Sequence, residues 1–135
     1  MSVANDALLV ALGQNGFPVF DNQSAPTTTQ GTATRCIGQV TRFTASVAGG
    51  SAAAVLPSLL SEEVQGMLFV INDTPNTMKV FPFTGETEGG VANQSLSIPT
   101  GQSGVFISVT AAKTGKGGGI APGSFTNDWR AAVIP

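Results

Sequence analysis

Two glutamates, Glu86 and Glu88, stand two positions apart in the stretch Gly85-Glu-Thr-Glu-Gly-Gly90. In an extended segment that spacing puts both carboxylates on one side. Paired carboxylates bind calcium or run glycosidic hydrolysis, but the flanking glycines predict a mobile turn that leaves this pair solvated. A second candidate is Lys113-Thr-Gly-Lys-Gly-Gly-Gly119. A P-loop needs glycine five residues before its Gly-Lys pair and a hydroxyl just after it. Thr110 and Gly117 occupy those positions, so the stretch reads as a flexible hairpin loop. Cys36 is the lone cysteine, and no histidine exists anywhere in the chain to activate it. It is expected as a small buried residue rather than a nucleophile. Serine and threonine are plentiful, yet without a base beside them they do not attack. Glu62 and Glu63 fit the start of a helical turn, and Asp73 and Asp128 fit turns. Trp129 is a platform on which a sugar ring can stack, although a lone tryptophan opening a last strand more commonly packs over one end of a core.

The omissions carry as much weight as these candidates. Histidine and tyrosine are absent, and of 135 residues only 6 are basic and 8 acidic. Without histidine most general acid/base and metal-binding constellations are excluded, so no enzyme, cofactor or metal is expected. An average soluble domain carries roughly a quarter of its residues as charges. Charge this sparse, with mean hydropathy of +0.22, predicts that part of the surface is covered by a partner, in a homo-oligomer or a larger assembly. A net charge of −2 and six scattered basic residues argue against nucleic acid. No run approaches the ~18 apolar residues of a membrane span, and the start lacks the basic residues of a secretory signal. Synthesis in the cytoplasm and no membrane partner are the corresponding expectations.

The elements that must position these residues are short strands. Residues 1–36 read as an extended N-terminal arm. In it Asn5 or Asp6 caps a short helix through Leu12 that Gly13 ends, and Gly16-Phe-Pro-Val-Phe20 follows as an extended apolar stretch. Residues 37–135 read as the domain proper. Its strands are Val40–Val47, Ala52–Leu56 stopped by Pro57, Met67–Asn72, Met78–Phe83, Leu96–Ile98, Val105–Thr110 and Trp129–Ile134. Met67-Leu-Phe-Val-Ile-Asn72 is apolar without alternation, the pattern of a strand covered on both faces. Ser58–Gln65 suggests one helical turn, and residues 85–93 and 113–123 suggest glycine-rich loops. Short strands with turns every ten or so residues predict an all-β chain, a small β-sandwich or jelly-roll-like domain.

The second half also forms an ordered series: Gly66-Met-Leu-Phe-Val-Ile-Asn72, Met78-Lys-Val-Phe-Pro82 with Gly85, Ala92-Asn-Gln-Ser-Leu-Ser-Ile98 with Gly101, Val105-Phe-Ile, and a tryptophan-led last strand. It resembles a recurrent β-domain of small virion proteins of tailed bacteriophages, found in capsid decoration (cement) proteins and in head or tail fibres. That resemblance covers residues 66–135 and brings no catalytic residues with it. It implies a protein at the capsid surface of a virion, made in the host cytoplasm, that bridges major capsid proteins and sits as a homotrimer. Phe17, Val19 and Phe20 are then the expected apolar anchors of the arm. The alternative expectation is an adhesion or carbohydrate-binding module of a head or tail fibre, using Trp129 and the two glycine loops. A hydrolase using Glu86 and Glu88 is the weakest reading.

Overall fold

A computed structural model describes residues 7, 8, 10, 18–48, 50–59, 66–110 and 127–135. The chain is all-β, with eleven strands in two sheets among these residues. β1 (Val19–Ala25), β3 (Val40–Ser46), β5 (Met67–Asn72), β10 (Ser103–Thr110), β11 (Asn127–Ile134), β7 (Thr87–Glu88) and β8 (Val91–Ala92) form the larger sheet in that order. β2 (Thr34–Arg35), β4 (Ala52–Val55), β6 (Met78–Phe81) and β9 (Leu96–Ile98) form the smaller one.

The path between the sheets is a winding. From β1 to β6 successive strands alternate between the two sheets, so β1, β3 and β5 lie parallel in one, and β2, β4 and β6 lie parallel in the other. Parallel neighbours need a crossover connection, and here each crossover is a strand of the opposite sheet. Only after β6 does the chain turn back on itself. β9 closes the smaller sheet against β6, and β10 joins β5 and then β11, all antiparallel.

Between the sheets lies one apolar core. Phe43, Ala52, Ala54, Leu68, Val70, Met78, Val80, Ile98, Phe106 and Trp129 meet there, drawn from alternate positions of their strands, as the two-residue period of a strand requires. Gly104 belongs to this inner face. A Cβ at that position would stand 2.7 Å from Ile98 Cδ1, so glycine lets β9 close over β10. A smaller apolar cluster, Val40 and Ile71 with Leu8, Val19 and Phe69 against them, covers part of the opposite, outer face of the larger sheet.

Residues 18–36 are not an arm apart from the domain. β1 hydrogen-bonds along β3, β2 pairs with β4, Ala25 and Cys36 are buried in the core, and the Thr34 hydroxyl bonds Ser24 O at 2.7 Å. The physical reason is that strand pairing runs through the backbone, so the polar run Asp21–Ser24 serves as an edge strand without an apolar pattern of its own. Of the expected helix at 5–12, Ala7, Leu8 and Val10 are helical, and its other residues lie outside the described ones. Phe17, the Lys113–Gly119 stretch and most of the expected helical turn at 58–65, Glu62 and Glu63 included, also lie outside them. The expected mobile loop at 85–93 holds the β7–β8 ladder instead.

Candidate interaction surface

The two glutamates that suggested chemistry have different surroundings in the fold. The Glu86 carboxylate accepts hydrogen bonds from the Ser58 hydroxyl at 2.7 Å and the Leu59 backbone N–H at 2.9 Å, which holds the segment after β4. Glu88 pairs in register with Trp129 across the parallel β7–β11 contact and is nearly buried. Burial raises its pKa above the ordinary 4.5, the nearby Asp128 charge raises it further, and Arg130 opposes both. Asp128 is committed as well. Its Oδ1 accepts from the Thr87 hydroxyl at 2.8 Å and the Gly90 N–H at 3.0 Å, and its Oδ2 meets Arg130 Nε at 3.0 Å. Asp73, expected in a turn, accepts from Arg42 Nε at 2.8 Å. Glu86, Asp128 and Asp73 thus each organise backbone or a neighbouring cation. No group of three or more metal-ligating side chains occurs among the described residues. Cys36 is buried, and burial pushes its thiol up to about 12, so it is no nucleophile at neutral pH.

Glu88 yields a pH dependence with a definite sign. Its folded pKa lies above the unfolded value of 4.5, so its carboxyl binds a proton more tightly in the folded state. The stability it contributes is fully present below the unfolded pKa and is lost as pH rises through the folded one. Glu88→Gln cannot ionise and is expected to be more stable than the wild type at pH 7, with that advantage shrinking toward pH 4. Urea midpoints at the two pH values read this directly. An advantage that does not change with pH would mean the carboxyl is not desolvated.

Trp129 is fully buried in the core. It cannot stack a ligand at the surface, which removes the platform that a carbohydrate-binding reading requires. Among the described residues its Nε1–H has no hydrogen-bond partner, an unusual state for a buried indole.

The exposed apolar groups gather elsewhere. Among the described residues β1 pairs only with β3, and β2 only with β4, so the two sheets end beside each other where the winding starts. Val19 does not face outward from this end; it packs against the Val40–Ile71 cluster. Phe20 and Ile37 remain 39% and 43% exposed. The Phe20 ring lies over Gly38, whose φ is +72°, and a Cβ at that position would fall on the ring. Gly38→Ala therefore meets both backbone strain and a clash, and is expected to cost about 1–3 kcal/mol in chemical denaturation. A change below a few tenths would mean that the ring moves freely. β1 is also irregular: its register slips between Phe20 and Gln23 and again before Ser24, and Asn22 has φ of 55°. Such bulges restrict how an added strand can pair. Regular pairing is left to the Val19–Phe20 and Ser24–Ala25 ends of the strand.

Ile37 has no place in an alternating pattern, and nothing in the sequence marks it; its exposure follows from the turn at Gly38. Compared with known proteins, the chain matches no protein family, no curated protein and no solved structure.

Proposed function

We propose that the chain is a structural virion protein that decorates and stabilises a phage capsid by bridging major capsid proteins. The observation that carries this reading is the open end of the winding. Among the described residues the first strand of each sheet pairs on one side only, with Phe20 and Ile37 exposed beside them, and the carboxylates of Asp73, Glu86 and Asp128 are taken up in holding the fold. A sheet edge beside exposed aromatic and aliphatic groups binds by strand addition, with backbone hydrogen bonds for affinity and the side chains as anchors. The anchors narrow to Phe20 with Ile37, since Val19 is used within the domain. Repetition of the contact over a shell, with the protein itself a homo-oligomer and most simply a trimer, lets modest single affinities add.

The sequence resemblance of residues 66–135 supplies the phage context, and the two-sheet β-fold suits a module that presents surfaces. The alternative, a fibre module that binds glycans, loses its main support with the burial of Trp129. The test is the number of copies of this polypeptide in a purified particle. Hundreds of copies are expected for a shell component. A dozen or so assigns the chain to a fibre or tail, and absence from particles ends the reading.

A further inference from the structure

β5 is apolar at every position except Asn72, a pattern that needs both faces covered. Leu68 and Val70 point into the core. The outward residues differ along the strand: Ile71 is buried in the cluster with Leu8 and Val19, Phe69 packs half-buried against that cluster, and Met67 is exposed. The uncovered part continues over the neighbouring strands. Register sets Met67 beside Ile107 and Phe69 beside Val105, and then Ala132 beside Val105. Val109 on β10 and Ile134 on β11 share the same face by the two-residue period. Met67, Ile107, Val109 and Ile134 are each between 36% and 46% exposed.

We propose that this outer strip of β5, β10 and β11 is the face through which copies of the chain pack on one another. Charge selects the occupant. Among the described residues of the strip Arg130 is the one cation, and Asp128 on the same strand and face holds it at 3.0 Å, so these residues offer no net charge to recruit an acidic or basic partner. An uncharged apolar surface is complementary to itself. The strip is also continuous with a packed surface, because the same face is closed at its β3–β5 end by apolar contacts from Leu8 and Val19. Four side chains so exposed leave on the order of 300 Å² of apolar surface, a size that on soluble chains often marks a contact site. A stable interface needs roughly 800 Å² from each partner, so the strip forms the apolar centre and the surrounding residues its rim. This inference rests on the self-assembly part of the proposed function and adds where the copies meet.

Sedimentation of the full chain tests it, with Ile107→Asp on the strip and Phe83→Asp as a control at an exposed apolar residue in the turn after β6. The wild type and Phe83→Asp are expected to be oligomers at micromolar concentration, and Ile107→Asp a monomer with unchanged circular dichroism and Trp129 emission. An Ile107→Asp oligomer overturns the proposal, because the copies then meet elsewhere, while decoration of a shell remains open. If Ile107→Asp fails to fold, Ile107→Cys decides. Cys36 is buried and its thiol pushed up to about 12, so the introduced thiol is the reactive one. In the oligomer it is expected to react with a maleimide far more slowly than the thiol introduced by Phe83→Cys. A reactive thiol in an oligomer overturns the proposed face alone. A monomeric wild type overturns self-assembly itself.

Discussion

Trp129→Ala is expected to remove roughly 3–5 kcal/mol of folding stability, the cost of truncating a buried aromatic once transfer and cavity terms are added. A domain of this kind has about 5–15 kcal/mol in all, so the variant lies close to unfolding at ambient temperature. The indole is the largest fully buried side chain and sits on β11, between β10 and the short β7. Its loss therefore loosens the pairings on both sides of β11. Trp129→Phe is the informative contrast. A phenyl ring gives up some volume, but it also removes an indole N–H that has no acceptor among the described residues, and a buried unpaired donor costs about 1–3 kcal/mol. The phenylalanine variant is expected to stay folded with a loss of about 1 kcal/mol. Both are read by urea denaturation followed by circular dichroism, because the variants lack the chain's one tryptophan. Equal midpoints for the wild type and the alanine variant would place the indole outside the core.

Asp73→Ala is expected to cost about 3 kcal/mol, at the lower end for a broken buried ion pair. The side chains of Arg42 and Asp73 are only 6% and 1% exposed, and their atoms meet at 2.8 Å. Among the described ion pairs, removing the carboxylate leaves the guanidinium with Asp21, a looser partner at 3.5 Å and the more exposed acid of the two. The pair also braces the sheet. Arg42 on β3 ties the turn after β5 to the edge strand β1, so the loss should extend to β1. Arg42→Met combined with Asp73→Ala removes both charges and is expected to recover most of the stability. A double variant as unstable as Asp73→Ala would mean that the site needs the guanidinium for packing rather than for charge.

Strands with a clear apolar signal were legible. β5 and β9 begin and end where the residue pattern puts them, and Trp129 lies in the core, as a lone tryptophan leading a last strand suggests. β1 was not legible, because Asp21–Ser24 pairs through backbone atoms and its side chains carry no pattern. β7 and β8 are two residues each, too short to show a period, and a glutamate among glycines looks solvated until parallel pairing sets it beside Trp129. Asn72 shows a different limit. Its Nδ2 donates to Asn76 O and Ile98 O, and its Oδ1 accepts from the Thr74 N–H and hydroxyl. The local part of that set follows from turn chemistry, but the tie to Ile98 exists only once β9 has closed on β6. The winding was hidden for the same reason. Each strand's alternation fits an antiparallel hairpin equally well, and the choice depends on which strands share a sheet.

That winding implies a direction for the loss of structure. Within β1–β6 each rung pairs with its neighbours, and among the described residues the first rung, β1 with β2, has a strand on one side only. Modules stacked in this way open from their ends by fraying, and amide exchange follows the order of opening. Protection is therefore graded, weakest at β1 and β2 and strongest around β5 and β10, where the sheet is flanked on both sides. A partner strand laid on the first rung turns that terminus into an interior position. Binding at that edge would then harden the fold itself, through mass action on its own folding.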